Sequence, residues 1–195
     1  MDELVFHRKM PSLLIVDDFF IDPDRVRQLA LDLPYSADER YYKGLRSDYV
    51  YLWDYMREEL ERLLGCTILD WTEQSANGVF QMTSSKDPLV WHSDSQDYAA
   101  AIYLNPGAPT DGGTSFWRNR EHGFRFFHDA PEGHQVKEAD LLSEDSWELV
   151  ESTSGIYNRL AIWNARLIHS ATSYESFDDQ DQRLVQLFFF NVKPN

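Results

Sequence analysis

One cysteine, Cys66, is all that the 195-residue chain contains. A lone thiol cannot close an internal disulfide, so nothing here asks for an oxidising compartment. With no partner base near it in sequence, Cys66 reads as a packing residue. Long apolar runs are missing as well: no stretch approaches the roughly 18 apolar residues of a spanning helix. The opening Met1-Asp2-Glu3-Leu4 has no basic segment leading into an apolar one, so no leader is expected. A cytoplasmic location without a membrane partner is the expectation. Basic residues are also scarce, 18 Lys and Arg against 33 Asp and Glu, for a net charge of −15. Such a field repels nucleic acid and anionic lipid, and it leaves small molecules or cationic peptides as the easier partners. Repeats, low-complexity tracts and linkers are absent, which suits one domain over 1–195.

Apolar and aromatic mass is plentiful. Hydrophobic residues make up 43% of the chain and aromatics 14%, enough for a packed interior rather than a disordered chain. Leu13-Leu14-Ile15-Val16 predicts a buried strand that runs into a turn. Asp22-Pro23 predicts a helix start, with Asp as N-cap and Pro at the first helical position. Val26, Leu29, Ala30 and Leu33 then recur on one face until Pro34. A second helix is expected over about 48–64, its apolar face made by Leu52, Trp53, Met56, Leu60, Leu63 and Leu64.

From about residue 78 the period changes to two. Strands are predicted over 79–84, 89–94, 98–104, 114–117, 155–163, 167–172 and 184–192, with turn signals at Asn105-Pro106-Gly107, Asp111-Gly112-Gly113 and Asp178-Asp179. Many short strands with regular breaks indicate a sandwich or small barrel. The acidic stretch 121–150 reads as a loop or short helical insertion that could cover a site.

His92-Ser93-Asp94 sets two metal-capable side chains two residues apart. On a strand, positions i and i+2 share a face, so both can look into one barrel. His169, on a later predicted strand, is the candidate third ligand. Two histidines and one carboxylate leave three positions open on an octahedral ion, which selects iron(II) and admits a bidentate cosubstrate and dioxygen. A solvent-facing His and Asp on a strand edge would look the same in sequence. His169 alone could equally be a hydrogen-bonded core or surface histidine.

Fourteen residues after His169, Arg183 opens the strongly apolar run Leu184-Val185-Gln186-Leu187-Phe188-Phe189-Phe190. A buried guanidinium must be paired. The distal carboxylate of 2-oxoglutarate would supply a forked partner. So would Asp178, Asp179 or Asp181, which are close in sequence.

In this order the pieces resemble the iron(II)/2-oxoglutarate dioxygenase superfamily, and its prolyl-4-hydroxylase-like branch in particular. The resemblance runs through Ile15-Val16-Asp17-Asp18-Phe19-Phe20, Val90-Trp91-His92-Ser93-Asp94, Ala101-Ile102-Tyr103-Leu104-Asn105 and Gly112-Gly113-Thr114-Ser115-Phe116. It continues in Ala161-Ile162-Trp163-Asn164, Ile168-His169-Ser170-Ala171 and Arg183, so that it covers most of 13–192. The Gly-Gly-Thr-Ser-Phe-Trp-Arg stretch is also similar to small bacterial members. The resemblance implies a mainly β fold, a double-stranded β-helix or jelly roll with N-terminal helices packed on it. Residues 1–75 would be the helical lead-in and 76–195 the jelly-roll core, with the insertion near 121–150.

It further implies iron(II) on His92, Asp94 and His169, with 2-oxoglutarate as cosubstrate on Arg183. Tyr103 would help hold its distal carboxylate, and ascorbate would serve as reductant. The implied reaction releases succinate and carbon dioxide while a small molecule, amino acid or peptide residue is hydroxylated, desaturated or cyclised. Halogenating relatives carry a small residue at the position of Asp94, so halogenation is excluded. Trp91, Trp117, Arg118, Arg120 and His122 fall near the predicted mouth and are candidate substrate contacts, although Arg118 and Arg120 could equally be solvated loop charges. Two features depart from the branch. The span from His169 to Arg183 is longer than usual, with acidic residues over 176–181, and no tyrosine stands near Gln81-Met82-Thr83. A cupin-like isomerase or ketoacid-independent dioxygenase would use the same ligands without needing Arg183. A zinc hydrolase would want a general base beside the metal, and a non-catalytic jelly-roll module would only bind its ligand.

Overall fold

The computed structural model describes residues 10–37, 44–73, 76–178 and 180–195. The opening four residues and Asp179 therefore lie outside the described part. In chain order the elements are β1 (Leu13–Val16), α1 (Pro23–Leu31), β2 (Tyr35–Ser36), β3 (Leu45–Ser47), α2 (Asp54–Leu64), β4 (Cys66–Ile68) and β5 (Phe80–Thr83). β6 (Tyr98–Tyr103), β7 (Thr114–Asn119), β8 (Trp147–Thr153), β9 (Leu160–Asn164), β10 (His169–Ala171), β11 (Arg183–Phe190) and β12 (Val192–Pro194) follow. The seven-stranded sheet runs β1-β9-β6-β11-β5-β3-β2, the smaller one β10-β7-β8, and β12 pairs with β4. All the pairings are antiparallel. This is a double-stranded β-helix with helices on its outer side.

Both faces of the large sheet are covered, which explains why β6 and β11 read as nearly continuous apolar runs. Ala100, Ile102, Leu184, Phe188 and Phe190 face α1 and α2, packing with Ala30, Met56, Leu60 and Leu64. Ala99, Ala101, Tyr103, Ala161, Trp163 and Val185 face the other way, toward Phe116 of the small sheet. Small alanines at 99, 101 and 161 keep that inner layer thin. Asp22 caps α1 by accepting from Arg25 N at 3.1 Å, and Pro23 is its first residue. α2 has no side-chain N-cap, so its place rests on burying Met56, Leu60 and Leu64, each worth about 1.5–3 kcal/mol. Cys66 is 2% exposed in β4, a packing position as expected, and burial pushes its thiol pKa up. No helix among the described residues is long and apolar enough to cross a membrane.

Several boundaries differ from expectation. Segment 89–94 is not a ladder strand: only His92 pairs, in an isolated bridge with His169. The neighbouring amides donate to loops instead, Trp91 N to Leu141 O and Asp94 N to Ala165 O, both near 2.9 Å. α2 begins at Asp54 rather than near 48, because Tyr51 N is drawn to Gly78 O in extended backbone. β9 begins at Leu160 because Asn158, at φ 62°, turns the chain and ties its side chain to the Phe20 backbone. The last run breaks at Asn191, whose backbone and side chain both bond to Asp70. The lead-in holds strands β2, β3 and β4 as well as helices. Within 121–150, three short 3-10 turns precede β8, which starts at Trp147.

Candidate metal centre

His92 and His169 are bridge partners, each donating its backbone N–H to the other's carbonyl at 3.0 and 2.8 Å. That bridge sets their rings 4.4 Å apart. Asp94 reaches both: its Oδ1 lies 3.9 Å from His92 Nε2 and its Oδ2 lies 3.3 Å from His169 Nε2. One ligand-capable atom from each residue falls within 4.8 Å of the others.

The other nitrogen of each ring is already committed. His92 Nδ1 donates to Val90 O at 2.9 Å, and His169 Nδ1 donates to Leu167 O at 2.7 Å. A carbonyl can only accept, so in a neutral ring Nδ1 carries the hydrogen and Nε2 presents a bare lone pair. Asp94 Oδ2 is buried without a hydrogen-bond partner, although His169 Nε2 is close by. With the His169 ring neutral, two acceptors face each other there at 3.3 Å, and a cation between them would satisfy both.

The electrostatics agree. Nearly half of the His92 side chain is accessible, and it lines a cavity; burial and then the neighbouring His169 hold its pKa below the ordinary range. Burial opposes ionisation of Asp94, yet the neighbouring His169, then His92 and the Arg46 guanidinium, outweigh it and keep the carboxyl pKa low. A low imidazole pKa at His92 beside a low carboxyl pKa at Asp94 favours the protonation states in which such groups bind a metal.

All three line a cavity of about 400 Å³ together with Arg183, Thr114, Ser170, Tyr174, Arg46 and Gln81. Arg183 is 5% exposed. Its Nε donates to Gly112 O at 2.7 Å and its Nη2 to Gly113 O at 3.2 Å. Those carbonyls can turn inward because both residues are glycine: a Cβ on Gly113 would meet Thr153 O at 1.7 Å, and one on Gly112 would meet the Phe177 ring at 2.7 Å. Asn105 fixes the start of β11 by accepting from Leu184 N and donating to Gln182 O. Among the described residues no carboxylate lies within ion-pair distance of Arg183. Asp178 instead accepts the backbone N–H groups of Gln180 and Asp181.

Tyr103 sits behind this wall rather than in it. Its ring lies 5.5 Å from the Arg183 guanidinium, and its hydroxyl shares a 2.8 Å hydrogen bond with Thr114 Oγ1. Thr114 is the one that meets the cavity. Tyr174 packs 5.8 Å from the same guanidinium and does line the cavity. Neither Tyr174 nor Arg46 stood out in the sequence, since one lies in a loop and the other in a three-residue strand.

The expected mouth residues do not line this cavity. Trp91 and Trp117 pack edge to face, 5.6 Å apart, in a buried cluster with Phe124, Trp147 and Ile168. Arg118 forks onto Glu148, and Arg120 donates to the carbonyls of Asp145 and Trp147. His122 joins Glu121 and His134 in a second group of metal-capable side chains at the surface.

Comparison with known proteins adds the following. The model of a family of unknown function, DUF6445, matches residues 2–184. No curated protein matches the sequence. The fold is similar to HygX from Streptomyces hygroscopicus, solved with nickel, 2-oxoglutarate and hygromycin B bound. The two are 14% identical over 92% of this chain and 82% of that one, with a TM-score of 0.57. It is also similar to a prolyl hydroxylase from Trichoplax adhaerens, solved with a hypoxia inducible factor oxygen degradation domain peptide fragment. There the identity is 14% over 92% of this chain and 83% of that one, and the TM-score is 0.56. At such identities the likeness is one of fold.

Proposed function

The chain belongs to the DUF6445 family, and we propose that this member is an iron(II)- and 2-oxoglutarate-dependent oxygenase acting on a small molecule, amino acid or peptide residue. His92, Asp94 and His169 would hold the metal, and Arg183 would hold the distal carboxylate of the cosubstrate. One observation carries the reading: two Nε2 lone pairs and an unpartnered carboxylate oxygen converge on one point, with each ring locked by its other nitrogen. When bound, iron(II) with 2-oxoglutarate supplies oxygen activation coupled to release of succinate and carbon dioxide.

The spacing supports the cosubstrate. Across the small sheet His169 stands opposite Phe116 and Ala171 opposite Thr114. Two residues of strand cover ~6.6 Å, and Thr114, at the far end of that step, lines the cavity together with Arg183. HygX, which shares the fold, holds nickel and 2-oxoglutarate. Arg183 meets no carboxylate of its own among the described residues, which favours a ketoacid over the cupin-like alternative that would not need it. The chain's own work is to orient three ligands and to hold one guanidinium beside two tyrosine rings. With Asp94 in place of a small residue, the outcome we propose is hydroxylation, desaturation or cyclisation.

Anaerobic titration with iron(II) and 2-oxoglutarate tests the proposal through the weak visible charge-transfer band of an iron–ketoacid chelate. The band is expected in the wild type, lost in His92→Ala and weakened in Arg183→Ala. Its absence from folded, iron-loaded wild type would sink the cosubstrate assignment.

A further inference from the structure

Arg183 is the first residue of β11, and a strand end frays unless something holds it. On one side β5 does so, with Arg183 opposite Thr83. On the other side the β6 ladder runs out. Its last register pair is Tyr103 with Val185, and Pro106 just beyond has no N–H to carry it further. Leu104 N still donates to Leu184 O at 3.0 Å, but the Leu104 carbonyl accepts from Arg27 Nη1 at 2.9 Å. The Leu184 N–H goes to a side chain, Asn105 Oδ1, at 2.6 Å.

Asn105 is 4% exposed, and its Nδ2 donates to Gln182 O at 2.8 Å. A backbone N–H can only donate and a carbonyl can only accept, so these two partners fix which way the carboxamide faces. Like a peptide unit, it offers a donor and an acceptor in one plane, and it adds a rung where the backbone of β6 has turned away. The choice of partners matters most. Gln182 O belongs to the peptide before the Arg183 Cα, and Leu184 N belongs to the peptide after it. The orientations of those two planes are the φ and ψ of Arg183, so the two bonds together set the direction in which its side chain leaves the strand. At the far end of that side chain, Nε and Nη2 donate to Gly112 O and Gly113 O. The guanidinium is held from both ends beside the cavity that it lines, whereas Asn105 does not line the cavity at all.

We infer that Asn105 is a positioning residue for the cosubstrate. By bracketing Arg183 it sets where the guanidinium stands relative to the triad, and so gives preference to ketoacids that carry a second, distal carboxylate. It acts through the backbone of β11 and touches no ligand. This deepens the oxygenase reading and rests on it.

The test compares two ketoacids by anaerobic titration of the iron(II)-loaded protein, followed through the charge-transfer band. 2-Oxoglutarate carries the distal carboxylate; pyruvate can chelate a metal in the same way and lacks it. Wild type should prefer 2-oxoglutarate. Asn105→Leu keeps the shape of the side chain and makes neither bond. Its preference should fall roughly 10-fold, part of what loss of the Arg183 charge pair itself would cost, while iron(II) and pyruvate affinities stay at wild-type values. Asn105→Ser, whose short hydroxyl cannot serve both partners, should act in the same direction and carries the test if Asn105→Leu does not fold. A merely structural role would lower the thermal midpoint and leave the preference alone. Three results overturn the inference: folded variants keep the wild-type preference, both ketoacids and iron(II) weaken together, or neither variant folds. A wild type that shows no band with either ketoacid, or a band without preference, would fault the oxygenase reading or its Arg183 anchor first and take the inference with it.

Discussion

His92, Asp94 and His169 in the cavity, and Glu121, His122 and His134 at the surface, each bring three ligand-capable atoms within 4.8 Å of one another. By residue type the two groups are the same, two imidazoles and one carboxylate. They differ in what fixes them. In the cavity each ring has given its Nδ1–H to a backbone carbonyl two residues earlier, so each Nε2 already points where an ion would sit. At the surface neither ring makes a hydrogen bond among the described residues. His122 meets only Glu121 at 3.7 Å, with that carboxylate 77% exposed, and the two rings rest edge to face at 4.6 Å. Ordering a surface Glu and two rings that no hydrogen bond among the described residues fixes would cost conformational entropy that the cavity triad has already given up on folding. Three ligands within reach are a matter of composition; a binding site also needs their lone pairs held in place.

The comparison breaks hardest at His169. His169→Ala removes one of three locked donors, so iron(II) affinity should fall more than about 100-fold, beyond what loss of an orienting partner alone costs. Competition with a chromogenic chelator under anaerobic conditions would read this directly. Retained wild-type affinity would mean that the triad is not the metal centre, and the difference drawn between the two clusters would fail with it.

Arg183 separates the anchor from the metal. Arg183→Ala should weaken 2-oxoglutarate by about 2–5 kcal/mol, as for a truncated buried charge pair, while iron(II) binding stays at the wild-type level. Arg183→Lys should recover only part of the loss. An ammonium cannot bond the Gly112 and Gly113 carbonyls in a plane and still present a fork to a carboxylate. Equal loss of metal and cosubstrate in Arg183→Ala would point to collapse of the cavity wall instead.

A smaller effect is expected one layer back. Tyr103 was expected from the sequence to touch the distal carboxylate, yet its hydroxyl is engaged with Thr114. Tyr103→Phe should therefore cost about 1 kcal/mol of stability, the worth of one buried hydrogen bond, and change 2-oxoglutarate affinity less than Thr114→Val does. Denaturant midpoints and the titrated band measure the two separately. A loss as large as that of Arg183→Ala would restore the direct contact for Tyr103.

The parts that were legible in the sequence are those whose signal is a side-chain pattern. The His92/Asp94 spacing, the apolar runs of β6 and β11, and the Asp22-Pro23 start of α1 all carry such patterns, and each stands where expected. The strand expected around His92 was a different matter, because extended backbone gives the same alternation whether or not a neighbour is there to pair. β8 was hidden because Leu149 and Val150 face outward, 52% and 39% exposed, which blurs the period of two. β2 and β3 are two and three residues long, too short for any period to show. The groups that lock the triad are carbonyls of Val90 and Leu167, which no residue type encodes, so the feature that best separates the two clusters is the one a sequence cannot display.

The last expectation falls on the surface group, and it is the smallest. His134 packs 5.6 Å from Phe124 and is half-buried, so His134→Ala should cost some packing and little else. In iron(II)- and 2-oxoglutarate-loaded protein the charge-transfer band should keep its wild-type intensity, because no part of the surface group lines the cavity. Zinc(II) titrated into His92→Ala protein isolates that group from the triad. If locked lone pairs are what the surface group lacks, this titration should show no tight site, and adding His134→Ala should not alter it. A tight stoichiometric zinc site that His134→Ala removes would show that proximity is sufficient, and that backbone locking in the cavity serves the direction of the open coordination positions more than the affinity for the ion.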